Sequence, residues 1–145
     1  MLVGSVMRVG VVTAGPEETV QAAIERMMEA GIGSVVVVDG PRLVGILTER
    51  DVLRLAAGGA DFTELHVADA MTASPLAIEP DVHILDAAHL MGERGIRHLP
   101  VVEGDNLHGI VGIRDVLRSL VERAWRDHDG DARETAQALL ARGTR

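Results

Sequence analysis

The chain of 145 residues contains no cysteine and no lysine, so all 14 of its cationic Lys-plus-Arg positions are arginine. Without cysteine the chain can form no disulfide, no zinc–thiolate site and no thiol nucleophile. Without lysine it can provide neither a Schiff base nor the phosphate-binding lysine of a P-loop. These two absences exclude several large classes of enzyme and metal-binding protein.

Aromatic residues are almost absent as well, with one Phe, one Trp and no Tyr, and the net charge is −8. A chain with so few rings has no surface on which bases can stack, and an acidic chain repels phosphate backbones. The longest uninterrupted apolar run is 35–38, far below the ~20 residues of a membrane span, and the first twelve residues do not read as a signal peptide. We therefore expect a cytoplasmic protein with neither a nucleic acid nor a membrane as partner.

What the chain does contain is one unit that occurs twice. When the sequence is shifted by 64 residues, 31–54 lies over 95–118 without a gap. Eight separate positions and the five-residue block 50–54 are identical, which makes 13 of 24. The separate pairs are Gly31/Gly95, Ile32/Ile96, Val37/Val101, Val38/Val102, Gly40/Gly104, Leu43/Leu107, Gly45/Gly109 and Ile46/Ile110. Two copies are too few for a solenoid, so we expect two similar halves related by a pseudo-twofold axis.

Each copy is predicted to fold in the order helix, strand, strand, helix. In the first copy a helix opens at 16–19, has one buried stripe and ends at Gly31. The stripe consists of Val20, Ala23, Ile24, Met27 and Met28. An apolar β-branched run, Ser34–Asp39, predicts a strand buried on both faces. A second strand at 43–47 and a helix at 48–57 follow.

The second copy predicts a helix at 82–94, strands at 99–102 and 107–111, and a helix from Gly112. The fold class is therefore α/β (α+β), with short central sheets flanked by helices. We expect repeat 1 at 6–57, a linker at 58–69, repeat 2 at 70–121 and a helical tail at 122–145. The tail is predicted to break at Gly130 and to restart with Asp131 as a cap, and Trp125 to pack on the body or on a partner chain.

The segment from Thr48 to Asp51 starts a helix directly after a strand and has two interpretations. It is a capping box, in which the Thr48 hydroxyl and the Asp51 carboxylate satisfy each other's backbone N–H groups. The same geometry also suits a ligand, because a helix start favours phosphate and a carboxylate accepts hydrogen bonds from a ribose diol. The repeat supplies a second such corner, with Gly112 in place of the threonine.

The phrases GILTERDVL (45–53) and GIVGIRDVL (109–117), each preceded by GIGSVVVV or GIRHLPVV, resemble the two motifs of a cystathionine-β-synthase (CBS) domain pair, the Bateman module. The resemblance covers about residues 6–121. It implies a pseudo-symmetric α/β disc that commonly forms homodimers. It also implies binding of adenosyl ligands (AMP, ADP, ATP or S-adenosylmethionine) in the clefts between the motifs, as regulatory ligands and not as required cofactors.

The resemblance also implies roles for individual residues. Asp51 and Asp115 are expected to hold ribose. Thr48, Arg50, Gly112, Arg114, Arg97 and His98 are expected on the phosphate side. Ile32, Gly33, Ser34, Ile96 and Leu99 are expected to wall the adenine, although plain core packing explains the apolar positions nearly as well, and a solvated side chain explains Arg97 equally well. Because Gly112 has no hydroxyl, the two sites should differ in affinity.

Nothing in the sequence predicts catalysis. The six histidines form neither HxxxH nor HExxH, which leaves a helical metal site unsupported, and no nucleophile-elbow pattern is present. The leading prediction is a non-catalytic regulatory module that binds an adenosyl ligand and acts through a homodimer on an unidentified protein partner. The alternative is a dimerisation or protein-interaction module without a ligand. An enzyme with a cryptic active site has the least support.

Overall fold

The computed structural model describes residues 1–127 together with Glu134, Gln137, Ala138 and Ala141. After a short 3₁₀ helix (Val3–Ser5) the elements follow in this order: β1 (Thr13–Ala14), α1 (Val20–Ala30), β2 (Ser34–Asp39), β3 (Arg42–Thr48), α2 (Glu49–Ala57), α3 (Val67–Ala70), β4 (Thr72–Ala73), α4 (Ile84–Arg94), β5 (His98–Glu103), β6 (Asn106–Gly112) and α5 (Ile113–Asp127). The predicted α/β class and the twofold order of helix, strand, strand and helix are confirmed.

All six strands belong to one sheet, in the order β1-β2-β3-β6-β5, with β4 paired to β3. The two repeats meet where β3 and β6 run antiparallel, and Arg42 lies opposite Asn106, its own equivalent under the 64-residue shift. The flanking hydrogen bonds are symmetric too: Leu43 N–H donates to the Asp105 carbonyl at 3.1 Å, and Leu107 N–H donates to the Pro41 carbonyl at 3.0 Å. The pseudo-twofold axis therefore passes between β3 and β6.

The core of each repeat includes a short segment that precedes the other repeat in the sequence. Val3 is fully buried in the core that repeat 2 builds, and its equivalent Val67 is fully buried in the core of repeat 1. Backbone hydrogen bonds fix both segments, from Val3 N–H to the Val82 carbonyl and from Val67 N–H to the Glu18 carbonyl, each at 2.8 Å. The predicted ranges of the repeats and the linker stay predictions. In the structure, the segment around Val3 packs into repeat 2 and the segment around Val67 packs into repeat 1.

The helix α1 shows how local sequence sets the boundaries. The Thr19 side chain caps its N-terminus by accepting from Ala22 N–H, and Gly31 ends it in the left-handed conformation with φ of 64°. Val20, Ala23 and Met27 are buried as predicted, but Met28 is 77% exposed. The prediction for Met28 was wrong because the stripe that faces the sheet is narrower than the five apolar positions indicate.

Close approach of the chain explains the glycine repeated at positions 45 and 109. A Cβ on Gly109 would lie 2.8 Å from the Met7 sulfur and 2.9 Å from the Arg8 carbonyl oxygen. A Cβ on Gly45 would collide in the same way with the sulfur of Met71. The exchanged segments therefore cross directly over the second strand of each repeat, which only glycine allows.

The end of the chain was predicted to be helical, and α5 continues beyond repeat 2 as far as Asp127. The predicted break at Gly130 and cap at Asp131 lie outside the described residues. Trp125 is half-buried. Within the described part of the chain, no helix has the length and apolar character needed to cross a membrane.

Candidate functional site

A cleft of about 610 Å³ opens between the start of α2 in repeat 1 and the segment that enters β5 in repeat 2. The α2 side contributes Thr48, Glu49, Arg50, Asp51 and Leu53. The facing side contributes Arg94, Gly95, Ile96, Arg97, His98 and Pro100, and Gly33, Ile46, Thr72, Pro75 and Leu76 complete the lining. A hydrogen bond of 3.4 Å from Arg50 Nη1 to the Gly95 carbonyl joins the two sides.

The start of α2 is the capping box that the sequence predicts. Asp51 N–H donates to Thr48 Oγ1 at 3.3 Å, and Thr48 N–H donates to Asp51 Oδ2 at 2.9 Å. The Thr48 hydroxyl also donates to Asp51 Oδ2 at 3.0 Å. Both side chains nevertheless line the cleft, so the capping and binding interpretations do not exclude each other.

The second oxygen of Asp51 has a weak partner. Asp51 Oδ1 accepts from Arg54 Nη2 at 3.2 Å, across one turn of the same helix. Asp51 itself is 8% exposed, whereas the Arg54 side chain is 71% exposed. A pair between a carboxylate and so exposed an arginine contributes little, typically ~0.5 kcal/mol, so a ligand can replace Arg54 at small cost.

The opposite wall is cationic. Arg94 and Arg97 line it, together with His98, while Glu49 and Asp51 are the carboxylates of the cleft. Burial, and next the nearby guanidinium of Arg8, lower the pKa of His98 from its ordinary value of 6.5, against the opposing effects of Asp115 and Glu49. His98 is therefore mainly neutral near pH 7 in the absence of an added anion.

The second corner, at the start of α5, differs from the first. Gly112 N–H donates to Asp115 Oδ2 at 2.8 Å, which preserves half of the capping box. The same oxygen lies 3.4 Å from Arg8 Nε. Asp115 is 8% exposed and does not line the 610 Å³ cleft. The two corners thus share a backbone framework but not their side-chain surroundings.

The structure brings seven of the predicted residues into one cleft: Gly33, Thr48, Arg50, Asp51, Ile96, Arg97 and His98. Gly112, Arg114 and Asp115 belong to the other corner. Ser34 is 4% exposed, and Leu99 is completely buried in the core of repeat 2. Ile32 lines a different surface, the groove between α1 and α2. Adenine contacts from Leu99 would thus require a side chain that the core already encloses.

The sequence did not predict nine of the residues that line this cleft, nor the contact of Arg8 with Asp115 at the other corner. Thr72 and Arg94 line the cleft from outside the repeated phrase, and Arg8 contacts Asp115 from the N-terminal segment. The sequence does relate two of these residues, because Thr72 is the equivalent of Arg8 under the 64-residue shift. Only the structure shows that they lie at opposite corners, Thr72 at the first and Arg8 at the second.

An apolar groove of about 680 Å³ lies between α1 and α2. Its lining includes Ile24, Met27, Ile32 and Val52, together with two exposed large apolar side chains, Met28 and Leu53, the latter 72% exposed. The helices of repeat 2 expose apolar residues as well, at Leu85 on α4 and at Leu117 and Val121 on α5. Leu117 is the equivalent of Leu53. Both helix pairs therefore leave apolar surface uncovered in the single chain.

In the part of the chain that the structure describes, no group of three or more His, Cys, Asp or Glu side chains is placed so that it could hold a metal ion.

Comparison with known proteins gives the family. The model of the CBS domain matches twice, at residues 3–58 and 67–122. The chain is 40% identical to the uncharacterised protein MK0525 of Methanopyrus kandleri over 121 residues, which is 80% of this chain. It spans only 61% of the length of that curated relative.

Solved structures agree. The CBS-domain containing protein ATU1752 from Agrobacterium tumefaciens superposes with a TM-score of 0.76 at 31% identity, over 82% of this chain and 98% of that one. CBSX2, solved in complex with AMP, superposes with a TM-score of 0.77 at 29% identity, over 85% of this chain and 98% of that one. The chain therefore belongs to the CBS domain family, as a tandem pair of these domains.

Proposed function

We propose that this protein is a non-catalytic regulatory module that binds an adenosyl ligand in the cleft at Asp51. The observation that carries the proposal is the chemistry of the cleft, which has a hydroxyl and a carboxylate on one side and two arginines and a histidine on the other. The complex of the related CBSX2 with AMP supports the ligand class.

The proposed pose follows from the groups available. The ribose diol donates to Asp51 and replaces the exposed Arg54 at its Oδ1 oxygen, while Oδ2 stays within the capping box. The phosphates face Arg97 and Arg94, because a guanidinium fork suits an oxyanion. The adenine packs against the apolar part of the lining, at Ile96 and Leu76.

Charge favours a phosphorylated ligand over S-adenosylmethionine. Three arginines and two carboxylates line the cleft, and the proposed pose uses one carboxylate for the ribose. The remaining groups attract anions and repel the positive sulfonium of S-adenosylmethionine. We therefore rank AMP, ADP and ATP above S-adenosylmethionine as ligands.

The module is further proposed to act as a homodimer, with a second copy of the chain on the exposed apolar helix faces. Leu53 and Leu117 are related by the pseudo-twofold axis and are both exposed, so the two halves offer similar surfaces for a symmetric contact. The start of α2 connects this surface to the cleft, because Glu49 and Leu53 line both. A ligand that binds one dimer conformation better than another would shift the population, which a partner protein then detects.

Isothermal titration calorimetry with adenosine, AMP, ADP, ATP and S-adenosylmethionine tests the proposal. We expect saturable heat with at least one nucleotide and at least a tenfold loss of affinity in Asp51→Asn. The matched control is Asp86→Asn, an exposed acid in the first turn of α4, which should bind as the wild type does. Absence of heat with all five compounds at millimolar concentration would refute the proposal that the cleft binds an adenosyl ligand.

That result would leave the second candidate, a dimerisation or interaction module without a ligand. The observation in its favour is that the capping box already satisfies Thr48 and Asp51 without any ligand. Leu53→Glu should lose dimerisation under both candidates, so sedimentation of the wild type with and without each adenosyl compound distinguishes them. Under this second candidate dimerisation is lost in the variant and no adenosyl compound alters it in the wild type.

A further inference from the structure

Three of the positions that differ between the two corners lie next to Asp115 in the second corner. Under the 64-residue shift Ser34 becomes His98, Thr48 becomes Gly112 and Thr72 becomes Arg8. Three small hydroxyl side chains at the first corner are thus replaced at the second by a histidine, a glycine and an arginine. The framework stays the same, since Glu49 N–H bonds the Gly33 carbonyl at 3.0 Å and Ile113 N–H bonds the Arg97 carbonyl at 2.9 Å.

Gly112 is explained by His98, which lies opposite it on the antiparallel ladder of β5 and β6. A Cβ at position 112 would lie 3.3 Å from His98 Cδ2 and 3.3 Å from Asp115 Oδ2, tighter than an ordinary contact. A threonine there would add two further atoms to the same space. In repeat 1 the smaller Ser34 lies opposite Thr48, so the hydroxyl fits. The imidazole of His98 thus takes the room of the missing hydroxyl.

Arg8 occupies the position from which Thr72 faces the open cleft. Its backbone is fixed by a pair of hydrogen bonds with Ile110, at 2.8 and 3.0 Å, and its side chain reaches Asp115 Oδ2 at 3.4 Å. The Arg8 side chain is 44% exposed, well below the 71% of Arg54 at the first corner. Asp115 Oδ2 corresponds to the capping oxygen Oδ2 of Asp51, so Arg8 would exclude a ribose by the space that its side chain takes beside Asp115 and not by occupying the oxygen that the ribose contacts.

From these contacts we infer that the Arg8 side chain, which starts from the position equivalent to Thr72 and pairs with Asp115, closes the second corner to a ligand, so that each chain binds one adenosyl ligand and not two. The inference rests on the proposed function and adds to it the number of sites and the residue that closes the second one. In this arrangement Arg8 does not bind the ligand but pairs with Asp115, and His98 lies opposite Gly112 at the same corner.

Calorimetric stoichiometry with AMP and with ATP tests the inference on the full chain. We expect one ligand per chain, and an affinity that Asp115→Asn leaves within twofold of the wild type. Two ligands per chain would overturn the inference and leave the proposed function standing. No binding at all would overturn both.

A mirror substitution tests the role of the arginine itself. Thr72→Arg copies the second corner into the first at an exposed position, and we expect it to weaken AMP binding at least tenfold. Thr63→Arg, at an exposed threonine outside the cleft, is the control and should bind as the wild type does. Unchanged affinity in a folded Thr72→Arg variant would contradict the inference.

The reverse exchange should create a site. The triple variant Arg8→Thr, His98→Ser and Gly112→Thr copies the first corner into the second. Because His98 also lines the first cleft, the single variant His98→Ser is the control, and the triple variant is expected to bind one more AMP molecule per chain than this control. A folded triple variant that binds no more AMP than this control would count against Arg8 and His98 as the closing groups. If the triple variant does not fold, the mirror substitution and the stoichiometry of the wild type decide alone.

Discussion

Thr48 and Asp51 hold each other through reciprocal hydrogen bonds at the start of α2, at 3.3 and 2.9 Å, and the same two side chains line the cleft between the repeats. Under the proposed function this cap is also a ligand contact and so serves two purposes. Loss of either residue will therefore lower both the stability of the fold and the affinity for the ligand. The two effects can be separated because α1 has a threonine cap of its own, outside the cleft.

The first prediction compares those two caps. Thr48→Val and Thr19→Val should each reduce the free energy of unfolding by about 1 kcal/mol, because each removes one N-cap acceptor. Only Thr48→Val should weaken nucleotide binding. Urea unfolding and calorimetry measure the two quantities, and equal loss of affinity in both variants would show that binding depends on stability and not on the Thr48 hydroxyl.

The second prediction concerns the phosphates. Affinity should rise from adenosine to AMP to ADP, because each phosphate meets the cationic wall of the cleft. Arg97→Ala should remove most of that rise, a loss of about 1.5–3 kcal/mol for a charge-assisted hydrogen bond, while leaving adenosine binding nearly unchanged. Arg123→Ala on α5, whose side chain is exposed, is the control. A loss of affinity for adenosine as large as that for ADP would contradict the phosphate role.

The third prediction concerns the titration of His98. Because burial and Arg8 lower its pKa from 6.5, its NMR titration should have a midpoint below that value. The unfolded chain then binds more protons than the folded one, so His98 reduces stability as the pH falls below about 6.5 and does not above it.

Removing the guanidinium of Arg8 should partly reverse the lowering of the His98 pKa. Arg8→Ala is expected to raise the pKa of His98, and a bound phosphate beside the ring should raise it too. The resonance is assigned by its loss in His98→Gln. A pKa of His98 that falls in Arg8→Ala would contradict the placement of the two side chains.

The fourth prediction uses an ion pair that is remote from the cleft residues discussed above. A hydrogen bond from Arg26, and next the Gly15 N–H at 2.6 Å, lower the pKa of Glu18 from its ordinary 4.5. Glu18 therefore stabilises the fold above about pH 4.5, and this contribution is lost as the pH falls through its lowered pKa. Glu18→Gln should cost up to ~1 kcal/mol at pH 7, since both side chains are partly exposed, and almost nothing near pH 3. Glu17→Gln, at an exposed position, should show no such pH dependence in thermal unfolding.

The repeat allowed much of this architecture to be predicted. Hydrophobic patterns and the 64-residue shift identified Ser34–Asp39 as a buried strand and Thr48 as the start of a helix, and both are confirmed. The two-residue strands β1 and β4 and the short helix α3 were missed, because segments so short have no periodicity. Their formation depends on pairing with strands that lie elsewhere in the sequence.

Side-chain surroundings were harder to predict than backbone positions. The replacement of Thr48 by Gly112 was visible in the sequence, but its reason required the ladder that sets His98 against Gly112. The pairing of Arg8 with Asp115 depends on contacts between residues more than a hundred positions apart. The exposure of Met28 depends on how α1 is turned against the sheet, which its own sequence does not determine.

The crossed placement of Val3 and Val67 has a consequence for how the protein assembles. A chain cleaved between Gly58 and Gly59 would give two fragments, each lacking the valine that seals its own interior. Neither fragment would be compact by itself, and recovery of the native form would become a second-order reaction whose rate rises with concentration.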